Sequence, residues 1–321
     1  MTKRLSRNSE LGYLFDYNKK PVLTVEEGES FIVETEDNLS GLIKSDKDPL
    51  IENLKHFTKY DPPKFNPVSG PIYINGASKG DLLEVSIEKI IPAEIGFSAI
   101  DPDAGPLCHN KKWPELGEAY IKVLKNIPGP SGTTRNGKVI YNEYISWDLE
   151  PMIGTIGVAT EYEIHGTLNG QTPCCGNWDC KDIKEGSKLY LNCFHDGALL
   201  FLGDVHASQG DTEWTCSANE VKAEVSLSCK VIKNKKIPYA RIEREESIIQ
   251  LFADKPLEDA VHRAITNLMS WMVEEYGVGA KDAYIMISCS PEFKVKVYQM
   301  IKSPNLPYVV GAEISRKYLK N

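Results

Sequence analysis

Three short pieces between Asn177 and Glu213 repeat one pattern. Asn177-Trp178-Asp179, Asp204-Val205-His206 and Asp211-Thr212-Glu213 each set two oxygen or nitrogen donors two residues apart. In an extended backbone that spacing sends both side chains to the same side. Carboxylates and an imidazole presented in this way suit two kinds of chemistry: holding a divalent cation, and moving protons to and from a reacting group. Asp and Asn beside glycine are also ordinary turn residues, so one pair alone says little. Three in one stretch point to a site. Asp204 and His206 follow directly on the apolar run Ala198-Leu-Leu-Phe-Leu-Gly203, so a strand buried in the core would deliver both at its mouth. Glycines at 176, 203 and 210 let the backbone approach a ligand closely there.

Other chemistries find less support. Cys174, Cys175 and Cys180 lack the spacing of a structural zinc site, and buried inert thiols are the better reading. None of the eight cysteines forms a C-x-x-C pair, and a chain this long with so few is not a disulfide scaffold. There is no G-x-S-x-G elbow, no P-loop and no G-x-G-x-x-G after a strand. His56, His109 and His165 have no patterned neighbours and read as loop residues.

The elements that must position the site are mostly strands. Pro21–Val25 and Ser30–Thr35 flank Glu26-Glu-Gly-Glu29, a hairpin signature. A polar stretch follows, with a short helix expected near Ile51 to Phe57. Strands are expected at Gly70–Gly76, at Leu82–Ile91 and near Ala119 to Leu124. Lys188–Cys193 and Ala198–Gly203 are apolar runs joined by the turn His195-Asp-Gly197, which suggests a buried hairpin. Ala218–Val231 and Tyr239–Leu251 alternate, and the Lys-rich Lys230–Lys236 between them reads as a solvated hairpin turn. Leu257, Ala260, Val261, Ala264, Ile265, Leu268, Met269, Met272 and Val273 recur at helical spacing between Pro256 and Gly277, the face of a core helix. A second helix is expected over Pro291–Ile301, with Ser290 as its N-cap.

The fold class is therefore mainly β, sandwich- or barrel-like in its N-terminal and central parts, with an α+β C-terminal part. We place a β-sandwich-like domain at 1–150, a central β region with the polar site at 151–235 and an α+β region at 236–321. The chain has 321 residues, 41% of them hydrophobic, enough for a sizeable core. It carries 37 basic against 45 acidic residues, a net charge of −8, with no basic block to meet nucleic acid or an anionic membrane. No window is apolar enough to span a membrane, and the polar N-terminus lacks the apolar core of a secretory signal, so a cytoplasmic protein is expected.

At these residues the sequence resembles the acetamidase/formamidase family of metal-type amidases, in its shorter, acetamidase-like branch. Pro21–Val25 with Gly28 and Glu34-Thr-Glu-Asp37 is similar to its N-terminal hairpin, and Asn66–Ala77 with Gly80–Val85 to its next block. Gly176-Asn-Trp-Asp179, Glu185–Leu191, Gly197–Ala207, and Gln209-Gly-Asp211 with Glu213 are similar to its most distinctive stretch. The resemblance runs through the helix at Leu257 and covers nearly the whole chain. It implies a homodimer or higher homo-oligomer that hydrolyses a short aliphatic amide, acetamide or formamide, to the acid and ammonia. It also implies a polar site of Asn177, Asp179, Asp204, His206, Gln209, Asp211 and Glu213, with Asp37 nearby. Within that set Asp204, His206 and Asp179 are the expected metal ligands, and Glu213, Asp211 and Asn177 the catalytic groups. Asp37, Gln209 and Cys174 are assigned to substrate binding.

Where the family reads His-Gly-Gly-Asn-x-Asp, this chain reads Cys174-Cys-Gly-Asn-Trp-Asp179, and Thr212 stands in place of a glycine. A Cys174 thiolate in place of the histidine favours a softer divalent ion such as zinc; calcium is the other candidate. The same departure opens an alternative, a family member that binds a small amide or carboxylate without hydrolysing it.

Overall fold

A computed structural model describes residues 2–319 except 10, 133, 302, 304 and 305. Among these residues the chain forms two open β-sheets and three α-helices. The first sheet runs Lys3–Leu5, Phe31–Thr35, Ala223–Ile232, Leu82–Pro92, Lys188–Asn192, Arg241–Glu243, Ser247–Asp254, Tyr308–Ser315 and Lys294–Gln299 in spatial order. The second runs Cys175–Asn177, Met152–Val158, Leu200–His206, Glu220–Val221, Ile95–Ile100, Tyr120–Ile127, Lys138–Ile140 and Ser146–Asp148. Val68–Ile74 joins it against Leu200–His206 and in turn carries Leu23–Val25. Both sheets draw strands from distant parts of the chain, and neither closes into a barrel.

Alternation explains why the sheets stack. In Ala223–Ile232 every second residue is buried and its neighbours are half-buried or exposed, the pattern of a strand with one face on a core. Leu83, Val85 and Ile87 of the first sheet share one hydrophobic core with Ile72, Ile153, Ile156, Leu200 and Leu202 of the second. The expected C-terminal helix is present as Leu257–Tyr276 and ends on Gly277 in the left-handed conformation. Its buried face, Ala260, Ala264, Leu268 and Met272, covers Ile248, Val310, Ala312 and Ile314 in a second core. The early helix also forms, at Leu50–Thr58.

Four local expectations are corrected. Lys188–Asn192 and Leu200–His206 do not pair with each other. The first lies between Leu82–Pro92 and Arg241–Glu243, the second against Met152–Val158, Val68–Ile74 and Glu220–Val221. A strand buried on both faces must satisfy both hydrogen-bonding edges, and here partners far along the chain take them, so the 195–197 turn carries the chain from one sheet to the other. Leu23–Val25 and Phe31–Thr35 part in the same way, and Ala223–Ile232 does not pair with Arg241–Glu243 across the lysine-rich turn. The helix expected over Pro291–Ile301 is the strand Lys294–Gln299, in which the β-branched Val295 and Val297 outweigh the capping signal. Ser290 is instead the C-cap of the helix Ala280–Cys289.

Leu200–His206 is buried along its whole length. Phe201 is fully buried and meets Phe15 edge-on, with ring centroids 5.8 Å apart. Phe201→Ala is expected to cost about 3–5 kcal/mol of unfolding free energy. Denaturant unfolding checks this, and a loss below about 1 kcal/mol would show that the core repacks around the strand.

Candidate active site

Register brings the polar residues together. Thr155 faces Asn177 on one side and Gly203 on the other, which sets Asn177, Thr155 and Asp204 in a row across three strands. His206 stands opposite Glu220, which stands opposite Phe97. Asp179 follows Asn177 past the end of its strand, and Glu213 comes from the 3-10 turn Asp211–Glu213. Asn177, Asp179, Asp204, His206, Glu213 and Glu220 are all buried and all line one cavity of about 200 Å³.

The backbone is strained where the site is built. Asn66, Asp179, Asp204, Thr212 and Glu213 all have positive φ, at 54°, 45°, 53°, 76° and 46°. For residues with a side chain this conformation is uncommon and costs on the order of 1–3 kcal/mol each. Gly154 supplies the room: a Cβ there would stand 2.8 Å from Asp179 Oδ1, from Asp204 Oδ2 and from the Asp204 carbonyl oxygen. The two carboxylates thus converge over a residue that has no side chain.

Neutral groups hold them. The Asn66 amide donates to Asp204 Oδ2 at 3.0 Å, and the Thr155 hydroxyl donates to the same oxygen at 3.1 Å. With its nitrogen turned toward the acids, Asn177 donates to Asp204 Oδ2 at 3.0 Å and Asp179 Oδ1 at 3.1 Å. His206 Nδ1 lies 2.9 Å from Gln209 Oε1, and the Gln209 amide donates to the carbonyls of Asp179 and Tyr298. Gln209 can only accept through Oε1, so Nδ1 carries the proton and Nε2 is left toward Asp204 Oδ1 and Glu220 Oε2, at 3.5 and 3.3 Å.

The charges do not balance. Four carboxylates meet one imidazole, and among the described residues lining the cavity there is no lysine or arginine. Burial pushes the Asp179 carboxyl up to about 7, with the Asp204 charge adding to it. Burial and then Asp179 hold the Glu213 carboxyl well above the usual range. Glu220 is raised by burial as well, partly offset by His206. Burial alone would lower the pKa of His206, but Glu220 and Asp204 outweigh it and hold the ring well above its ordinary value. Glu213 Oε2, Glu220 Oε2 and Gln299 Oε1 are buried with no hydrogen-bond partner. Asp179, His206 and Glu213 bring ligand atoms within 4.8 Å of one another, and so do Asp204, His206 and Glu220. A donor set of carboxylate oxygens and one imidazole, with excess negative charge and unpartnered oxygens, fits a divalent cation.

Not every residue expected at the site lies in the cavity. Asp211 is largely exposed and ion-paired with Lys181 at 2.7 Å. Gln209 stands behind His206, as described. Asp37 is buried one residue from the cavity wall, where its carboxylate accepts from the backbone N–H of Leu39 and Gly41. Cys174 lies in a separate pocket with Thr160, Tyr162, Thr172 and Phe194. The ligand clusters contain no cysteine among the described residues. Glu220, Thr155 and Gln299 belong to the site and carry no sequence pattern, while Asn66 stood in a recognised block without a role.

Gly154→Ala is expected to lower the melting temperature and to separate Asp179 from Asp204, because its methyl group meets backbone as well as side chain. An unchanged melting temperature would contradict this packing. Asp37 gives a pH signature. Burial raises its carboxyl from 3.8 to about 7, so between those values the folded state keeps a proton that the unfolded chain has released. Its contribution to stability therefore falls as pH rises through that window. Asp37→Asn is expected to flatten this part of the stability–pH curve measured by thermal unfolding, and an unchanged slope would refute the assignment.

The sequence profile of the Acetamidase/Formamidase family matches residues 15–173 and 166–314. The chain is similar to an acetamidase of Mycolicibacterium smegmatis, with 26% identity over 65% of this chain and 63% of that protein. It spans 61–63% of the length of the curated relatives it matches. Among solved structures, an acetamidase of Yersinia enterocolitica is 32% identical, with a TM-score of 0.87 over 100% of this chain and 94% of that one. An acetamidase of Bacillus halodurans is 27% identical, with a TM-score of 0.84 over 98% of both chains. Profile, fold and the order of the matched blocks agree, and the chain belongs to the acetamidase/formamidase family.

Proposed function

We propose that this chain hydrolyses the C–N bond of a linear carboxamide, releasing ammonia and the acid, with a divalent metal held by Asp204, His206, Asp179 and Glu220. The observation that carries the reading is the buried cluster of four carboxylates around one imidazole at a cavity, in a chain of this family. When bound, such an ion supplies Lewis acidity, polarising a carbonyl and making water a stronger acid.

The chain's own residues supply the rest. Gln209 fixes the His206 tautomer and ring plane, so that Nε2 stays directed at the acids. Asn177, Asn66 and Thr155 brace Asp179 and Asp204. Glu213 lines the cavity with Oε2 unpartnered, and serves as the group that takes a proton from the attacking water and returns it to the leaving nitrogen. Positive charge in the cluster offsets the repulsion from Asp179 and returns Glu213 toward its ionised form. The walls keep the proton from bulk water. The Cys174 thiol, in its separate pocket, removes nothing from this cluster, which favours turnover over the binding-only alternative.

The test is ammonia release by the purified protein, with and without chelator, alongside its variants. Chelator-sensitive release is expected. His206→Ala is expected to lose bound metal, and Gln209→Ala to lower kcat/KM by roughly 10–100-fold through the ring it orients. His206→Ala with unchanged metal content and turnover would sink the ligand assignment. Release that ignores both chelator and variants would refute the metal-assisted reading.

A further inference from the structure

The cavity has two unlike sides. Its floor is the polar cluster, and its opposite wall is apolar: Leu39, Leu50, Leu54, Phe65, Phe97 and Ala99. These residues do not belong to either main core. Leu39, Leu50 and Phe97 are part of a separate small cluster with Ile43, Phe57 and Ile121, and Leu54, Phe65 and Ala99 pack against it. The segment carrying Leu39 to Phe65, with its helix Leu50–Thr58, thus packs with the strand Ile95–Ile100 to form this wall, and a cavity of about 200 Å³ lies between it and the polar cluster.

That space is too large and too apolar for a one- or two-carbon amide. A water-sized probe takes on the order of 10–15 Å³ by the same measure, so the cavity has room for on the order of ten or more heavy atoms. Acetamide has only four. The remainder would hold water against leucine and phenylalanine, a poor environment for it. Asn38 is among the lining residues, and its Oδ1 is buried without a hydrogen-bond partner, an acceptor suited to an N–H and not to a carboxylate.

We propose that the site selects primary carboxamides whose acyl group is a branched-aliphatic or aromatic body of about four to eight carbons, the apolar wall holding that body while the polar floor meets the amide; this rests on the amidase reading above. Ala99, on the strand Ile95–Ile100, is the position at which added bulk shortens the space.

The experiment measures kcat/KM for ammonia release from acetamide, butyramide, isovaleramide, benzamide and phenylacetamide, with the native chain and with Ala99→Phe. The native enzyme is expected to gain on the order of fourfold per methylene buried. Ala99→Phe is expected to cut the phenylacetamide-to-acetamide ratio at least about tenfold. Turnover of acetamide with a flat or falling series would overturn the proposal and leave the amidase reading standing. No ammonia from any amide would instead count against the amidase reading. Where no ammonia is released, calorimetric titration with acetamide, isovaleramide and phenylacetamide themselves reads the cavity alone. Affinity that rises with acyl size in the native chain and is lost in Ala99→Phe supports the apolar subsite; equal or undetectable binding of the three overturns it.

Discussion

Four carboxylates buried around one imidazole form the constraint on which the rest of the site depends. Removing a carboxylate from water is costly unless it is paired, hydrogen-bonded or bound to a cation. Here Asn66, Thr155 and Asn177, which donate, and Gln209, which accepts from His206, satisfy part of the cluster and hold its shape, but they add no positive charge. The oxygens left unpartnered, on Glu213 and Glu220, mark where the compensation is missing. Much nearby follows from that need for convergence: the bare Cα of Gly154, the left-handed backbone at Asp179, Asp204 and Glu213, and the central strand Leu200–His206 buried on both faces.

The strain is affordable because it is confined. Most positive-φ residues of the site stand beside strand ends or in short turns, and Asp204 lies inside a strand, near the end of Leu200–His206, while the strands themselves run through a continuous core from Val68 to Leu202. A rigid scaffold with local strain at its edge is a common way to fix reacting groups before substrate arrives. The apolar wall has a different standing. It is a small satellite cluster built from a helix of nine residues and the segments around it. Its shape is set by a few side chains in a cluster separate from the two main cores.

How much of this was legible in the sequence depended on the backbone at each position. Asp204 and His206 were legible because they follow two residues apart at the end of the apolar strand Leu200–His206, although Asp204 itself takes a left-handed conformation. The same spacing misled at Asp211 and Glu213. Thr212 takes a left-handed conformation there, which turns Asp211 out to Lys181 and Glu213 into the cavity. Glu220 carries no local signal at all: it sits on a two-residue strand and meets His206 only through register between distant segments. Long-range pairing likewise defeated the three expected hairpins, and in two of them the strands part into different sheets. The helix Leu257–Tyr276 was legible because its apolar stripe is long and its end signal local. Resemblance to the family supplied the residue set, and geometry alone separated those at the floor from those behind it.

The central claim is that the buried acids require a divalent cation. Its most direct test is calorimetric titration of zinc into chelator-stripped protein, followed by thermal unfolding of the same sample. Saturable binding and a stability gain of about 2.7 kcal/mol are expected when free metal is a hundredfold above Kd, with both lost in His206→Ala. No heat of binding and no change in unfolding, in a protein that remains folded, would contradict it.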